Sequence, residues 1–140
     1  MNKKMYIFTM IFLGIVMCLI LIVIAMMTIP VKALTFEDDK FPITSHEIKP
    51  GGIVEYAVKG TKHNDLPATV GRQLINSYIY NYTQVVGNLP IGSFDKKVQL
   101  NIPEYAESGI YFVRITYTYQ VNPFRKEVIV KDTETFMVIK

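Results

Sequence analysis

The stretch Gly109-Ile110-Tyr111-Phe112-Val113-Arg114-Ile115-Thr116-Tyr117-Thr118-Tyr119-Gln120-Val121 decides the fold class. Tyr111, Val113, Ile115, Tyr117 and Tyr119 fall on one side of an extended chain, and Arg114, Thr116, Thr118 and Gln120 on the other. This period of two predicts a strand with one buried face, because successive side chains of a strand point to opposite faces. Asn122-Pro123 ends the run, since proline has no N–H for a ladder bond.

The same alternation recurs on both sides. Val98, Leu100 and Ile102 oppose Lys97, Gln99 and Asn101 in a strand over 96–102. Val54, Tyr56 and Val58 alternate with Glu55 and Lys59. Residues 43–49 are a candidate first strand, stopped by Pro50-Gly51-Gly52. Residues 70–75 and 78–84 flank Asn76-Ser77 and predict a tight hairpin. Residues 127–138 supply a last strand, bulged near Asp132. Residues 61–67 and 86–94 are expected as loops. About seven short strands with no helix between them point to an antiparallel β-sandwich over 42–140, with a small closed barrel as the alternative. Ser108-Gly109-Ile110-Tyr111, between two strong strands, resembles a tyrosine corner. Gly109 and Tyr111 would carry it, and it implies an Ig-like or fibronectin-III-like sandwich.

Residues 5–29 carry no charge and are broken only by Thr9, Gly14 and Thr28. As a helix they span roughly 37 Å, enough to cross a hydrocarbon core of about 30 Å with some tilt. Lys3 and Lys4 mark a cytoplasmic tail over 1–4 by the positive-inside rule, with the C-terminal domain extracytoplasmic. The competing reading is a cleaved signal peptide with Val31-Lys32-Ala33 as its cleavage site. The apolar run is much longer than a signal core of about 7–15 residues, which favours an uncleaved signal anchor. Ile15-Val16-Met17 before Cys18 lacks the small residues of a lipobox. Cys18 is the only cysteine, so the β domain forms no internal disulfide. Ile29-Pro30 ends the helix, and residues 30–41, with Glu37-Asp38-Asp39, are expected as a solvated linker.

Beyond Lys3 and Lys4 the chain is close to neutral, without the basic patch of a nucleic-acid binder. His46 and His63 stand in no metal-binding spacing, and there is no CxxC, no GxSxG elbow and no phosphate-binding glycine loop. No catalytic residue, metal or cofactor is expected. A hydrolase hidden in the sandwich would need His46 or His63 beside a carboxylate. Tyr78, Tyr80 and Tyr82 line one face of a strand. They fill the core or cover a sheet, unless they lie exposed beside Arg72 and Arg114. In that case the five residues form a candidate partner face.

Four spaced motifs follow the apolar segment in order. They are Lys49-Pro50-Gly51-Gly52-Ile53-Val54, Leu66-Pro67-Ala68-Thr69-Val70-Gly71-Arg72-Gln73-Leu74, Asn88-Leu89-Pro90-Ile91-Gly92 and Tyr119-Gln120-Val121-Asn122-Pro123-Phe124-Arg125. Together they resemble small single-pass membrane proteins of tailed phages and prophages, over most of residues 42–138. The resemblance implies a setting and an architecture, not a mechanism. Relatives often carry two cysteines in this domain, and this chain has none there. The expectation is a non-enzymatic, membrane-anchored Ig-like domain displayed outside the cytoplasm, where it binds a protein or envelope partner. The alternative is a signal-cleaved soluble or virion-associated decoration module.

Overall fold

A computed structural model describes residues 3–140. It holds one helix, α1 (Lys3–Thr28), followed by eleven strands. The strands are β1 (Leu34–Phe36), β2 (Lys40–Phe41), β3 (Glu47–Ile48), β4 (Ile53–Lys62), β5 (Ala68–Ile75), β6 (Ile79–Asn81), β7 (Val85–Gly87), β8 (Gly92–Asn101), β9 (Gly109–Asn122), β10 (Arg125–Thr133) and β11 (Phe136–Val138).

The chain divides into two compact units. One comprises residues up to 31 with the hairpin tip 121–125. Its helix has no buried residue and is long and apolar enough to cross a membrane, a test that a signal sequence also passes. Lys3 and Lys4 begin the helix, and Met1 and Asn2 of the expected tail lie outside the described residues. Within this unit Asn122 Nδ2 donates to Met26 O at 2.6 Å and Arg125 Nη1 to Met27 O at 2.7 Å. These bonds satisfy two of the four carbonyls that the end of a helix leaves without an internal partner.

The second unit is the β domain, 32–120 with 126–140. Its smaller sheet has the order β1-β4-β8, all antiparallel. In the larger sheet β9 pairs with β5 on one side and with β10 and β11 on the other, and β6 and β7 pair with β5. Short β2 and β3 run parallel to β10 and β11. The architecture is therefore a β domain of mixed sheets rather than seven antiparallel strands. The extra strands arise where the chain breaks after two or three residues. Pro42 and the turn at 44–46 separate β2 from β3, and Glu134-Thr135 separate β10 from β11.

The alternation seen in the sequence decides which faces are buried. Val54, Tyr56 and Val58 of β4 pack with Tyr111, Val113, Ile115 and Tyr117 of β9, joined by Phe41, Leu74, Leu100, Phe136 and Val138. Residues 30–41 are not a free linker. Ala33, Leu34 and Phe41 are buried, and Ala33 O accepts the N–H of His63 at 2.9 Å. The acidic triplet between β1 and β2 obscured these apolar residues in the sequence. Residues 86–94 likewise hold most of β7 and the start of β8 rather than a plain loop.

The break between β10 and β11 is stabilised by a side chain. Thr133 is 1% exposed, and its Oγ1 accepts the Val113 N–H at 3.0 Å and donates to Glu134 O at 2.8 Å. The hydroxyl thus replaces a missing ladder bond. Thr133→Val keeps the shape and strands a buried N–H, so a loss of about 1–3 kcal/mol is expected. The urea midpoint of the full-length protein in detergent measures it. An unchanged midpoint would mean the Val113 amide finds another acceptor.

Candidate functional site

The residues expected to form a partner face do not share one. Arg72 of β5 stands opposite Ile115 and Gln73 opposite Arg114, so Arg72 faces the domain interior with Ile115, and Arg114 points to the outer face. There Arg114 makes a bidentate pair with Asp132, Nε to Oδ1 at 2.8 Å and Nη2 to Oδ2 at 2.9 Å, and its guanidinium lies 5.5 Å from the centre of the Phe112 ring. Tyr78 lies in the β5–β6 turn and is 59% exposed. Tyr80 packs against the core, 5.8 Å from the Tyr105 ring and 6.5 Å from the Tyr111 ring. Tyr82 also packs against the core and donates to Asn101 O at 2.7 Å. Burial pushes the Tyr82 hydroxyl up to about 12. Of the five, Tyr78 is the one left free of the core and of an ion pair.

Tyr111, expected at the corner, is fully buried, and its hydroxyl donates to Glu107 O at 2.9 Å. Gly109 begins β9 against Asn76, where a Cβ would come within 2.6 Å of the Asn76 amide nitrogen. His46 Nδ1 lies 3.4 Å from Thr135 O, and His63 Nε2 lies 2.9 Å from Thr35 Oγ1. Neither histidine ion-pairs with a carboxylate, and no cluster of three metal-ligating side chains occurs, among the described residues.

The feature with the chemistry of a site is a cavity of about 190 Å³ in the β domain. Edge strand β8 and the smaller sheet form one wall, with Val58, Phe94, Lys96 and Val98. β5 and β7 form the other, with Ala68, Val70, Arg72 and Val85. Phe36, Tyr56 and Tyr117 line it further in, and Leu66 and Leu89 come from the loops. β7 is three residues long, and the following Asn88-Leu89-Pro90-Ile91 carries the chain across to β8. Among the described residues no strand joins β7 to β8, so the space between these edges is not filled.

Among the described residues three cations line this cavity and no acidic residue does. Lys62 ends β4 and is 3% exposed. Its ammonium donates to Asn88 Oδ1 and, at 2.7 Å, to Leu89 O, with the exposed carboxylate of Asp65 at 4.0 Å. Asn88 Nδ2 in turn donates to Asp65 at 3.0 Å. Lys62 therefore fastens the loop that forms one lip. Arg72 lies beside the Tyr56 hydroxyl, and its Nε is enclosed without a hydrogen-bond partner. Burial pushes the Tyr56 and Tyr117 hydroxyls up, opposed by the charge of Arg72, so both stay protonated as donors at neutral pH. Lys96 stands at the mouth.

Lys62 and Lys96 were missed, and Arg72 was assigned to an outer face, because charge argues for a solvated position. Strand parity carried the signal. Lys62 has the parity of Val54, Tyr56 and Val58, Lys96 that of Val98 and Leu100, and Arg72 that of Val70 and Leu74.

No protein-family model matches the chain, and no characterised protein matches it by sequence. Among solved structures, a family 123 glycoside hydrolase from Clostridium perfringens is similar with a TM-score of 0.52 and 12% identity, over 77% of this chain and 27% of the hydrolase. The sporulation control protein Spo0M of Bacillus subtilis is similar with a TM-score of 0.41 and 11% identity, over 77% of this chain and 49% of Spo0M. A β-glucosidase from Listeria innocua has a TM-score of 0.37 and 12% identity, over 76% of this chain and 16% of the enzyme. The chain thus spans about a quarter of the hydrolase, and at this identity the likeness concerns the fold alone.

Proposed function

We propose that this is a single-pass membrane protein whose α1 anchors an Ig-like β-sandwich outside the cytoplasm, where the domain acts as a non-catalytic binding module for a protein or envelope component. The observation that carries the reading is α1 itself. It has 26 residues, none of them buried, with its only charges at Lys3 and Lys4, and a β domain with its own core follows it. The two lysines favour a cytoplasmic N-terminus. The Ig-like assignment rests on three features. β4 pairs with β8 in one sheet, while β5, β9 and β10 associate in the other. Short edge strands β2 and β3 run parallel to β10 and β11. The hydroxyl of Tyr111, near the start of β9, bonds back to the Glu107 carbonyl, as a corner tyrosine does. In a phage-encoded setting such a module would alter the host envelope, exclude a second infection or support lysis.

The test is fractionation of cells expressing a C-terminally tagged protein, protease treatment of spheroplasts, and an intact mass. A full-length, membrane-bound chain whose β domain is digested from outside is the expected result. A soluble product beginning at Leu34 would replace the anchor with a cleaved signal. A β domain protected in spheroplasts and digested only after lysis would reverse the orientation.

A further inference from the structure

We infer that the cavity between β8 and the β5–β7 edge binds a small anionic amphiphile, with an apolar body among Val58, Val70 and Val98 and its negative head at Arg72 and Lys96. The inference rests on the reading of the domain as a binding module and names the chemistry of one ligand.

Size limits the ligand first. An apolar cavity of roughly 150 Å³ is enough to take up benzene, so about 190 Å³ holds a ring or chain of about six to eight carbons. Charge limits it next. Among the described residues the wall carries Arg72, Lys96 and Lys62 and no carboxylate. Lys62 is already engaged by Asn88 and Leu89, with Asp65 nearby. Arg72 is different, because its Nε is enclosed and bonds nothing. Its guanidinium also has no carboxylate partner among the described residues, so its charge is open to an anion in the cavity. Guanidinium groups suit carboxylate and phosphate oxygens, and such charge-assisted bonds are the stronger kind. The Tyr56 hydroxyl beside Arg72 supplies a further donor. An inward lysine on an edge strand also discourages pairing with another chain. That accounts for Lys96, but not for the enclosed Arg72.

The probe is octanoate, with octan-1-ol as its neutral counterpart, titrated calorimetrically into the full-length protein in phosphatidylcholine nanodiscs. Nanodiscs replace detergent, which would itself compete, and empty nanodiscs correct for partition into lipid. Octanoate is expected to bind saturably, and octanol about tenfold more weakly. Arg72→Gln should bring octanoate to the level of octanol, and Ala68→Phe, which fills the cavity, should abolish both. Where circular dichroism shows that Arg72→Gln does not fold, Lys96→Gln takes its place, with an expected loss of about threefold for octanoate alone. Val98→Phe substitutes for Ala68→Phe in the same way. Octanol binding as tightly as octanoate would overturn the anionic head. Octanoate binding that survives the filled cavity would overturn the site, and no heat above that of empty nanodiscs would overturn the ligand class. Protease mapping reads the membrane topology independently, so each of these failures leaves the displayed module standing. Nanodiscs containing phosphatidylglycerol separate two sources. Weakened octanoate binding there would identify membrane lipid as the supply, and unchanged binding a free amphiphile.

Discussion

Gly60→Val is expected to detach β1 from the β domain. Phe36 pairs with Gly60 across β1 and β4, and the strands approach so closely that a Cβ on Gly60 would stand 2.2 Å from Thr35 O. It would also stand 3.1 Å from the Phe94 ring. The ring can rotate away, but the Thr35 carbonyl is backbone and moves only with its strand. Overpacking a core costs about 1–3 kcal/mol when neighbours adjust. Here the adjustment is loss of the three-residue β1 ladder. Leu34, buried by that ladder, contributes about 1.5–3 kcal/mol more when it returns to water, and Phe36 loses its ring contact with Phe41 at 5.3 Å. The combined effect should lower the urea midpoint of the full-length protein in detergent sharply and open residues 33–41 to protease. Gly87→Ala is the control. A Cβ there meets nothing within 4 Å, and an alanine that fits the native backbone restricts the unfolded chain, so its midpoint should stay level or rise slightly. A Gly60→Val protein with the wild-type midpoint would show that β1 adds little to the domain.

The consequence of Gly60 is not visible in the sequence, because it depends on the second segment paired with it. Patterns that depend on one segment alone were legible. α1 follows from a long uncharged apolar run. The buried faces of β4, β8 and β9 follow from alternation within each strand. Patterns that depend on two segments were not. Gly60 is critical because β1 crosses it, and β1 was hidden because Glu37-Asp38-Asp39 gave residues 30–41 the look of a linker. Arg72 and Arg114 looked like members of one face because each is exposed in principle. The β5–β9 register sends one inward and the other to Asp132. The short β2, β3 and β7 are defined by their partners rather than by any repeat of their own. The cavity exists because two edges fail to meet, which no local pattern records.

Tyr111→Ala should be among the most destabilising single changes in the domain, and Tyr111→Phe should divide that effect into its parts. The side chain is fully buried near the start of β9, with its ring 6.3 Å from that of Phe136 and 6.5 Å from that of Tyr80. It holds β11 and the β5–β6 hairpin against β9, since Phe136 pairs directly with Tyr111 in the sheet. Truncation to alanine removes this packing and leaves a cavity, a loss of about 3–5 kcal/mol for a large aromatic. The domain has no disulfide to limit the damage, because Cys18 lies in α1. Phenylalanine keeps the ring and removes only the hydroxyl that donates to Glu107 O at 2.9 Å. Its expected cost is about 0.5–1.5 kcal/mol, the net worth of one hydrogen bond whose acceptor, near the surface, can turn to water. Urea midpoints of the two variants therefore test separate propositions. A small loss for phenylalanine and a large one for alanine would make the ring the main contributor, with the corner bond an orienting contact. Equal losses would mean that the hydroxyl bond holds residues 103–108 in place and that the packing depends on it. A phenylalanine variant as stable as the wild type would remove the corner bond from the case for an Ig-like domain, leaving the strand pairing to carry it.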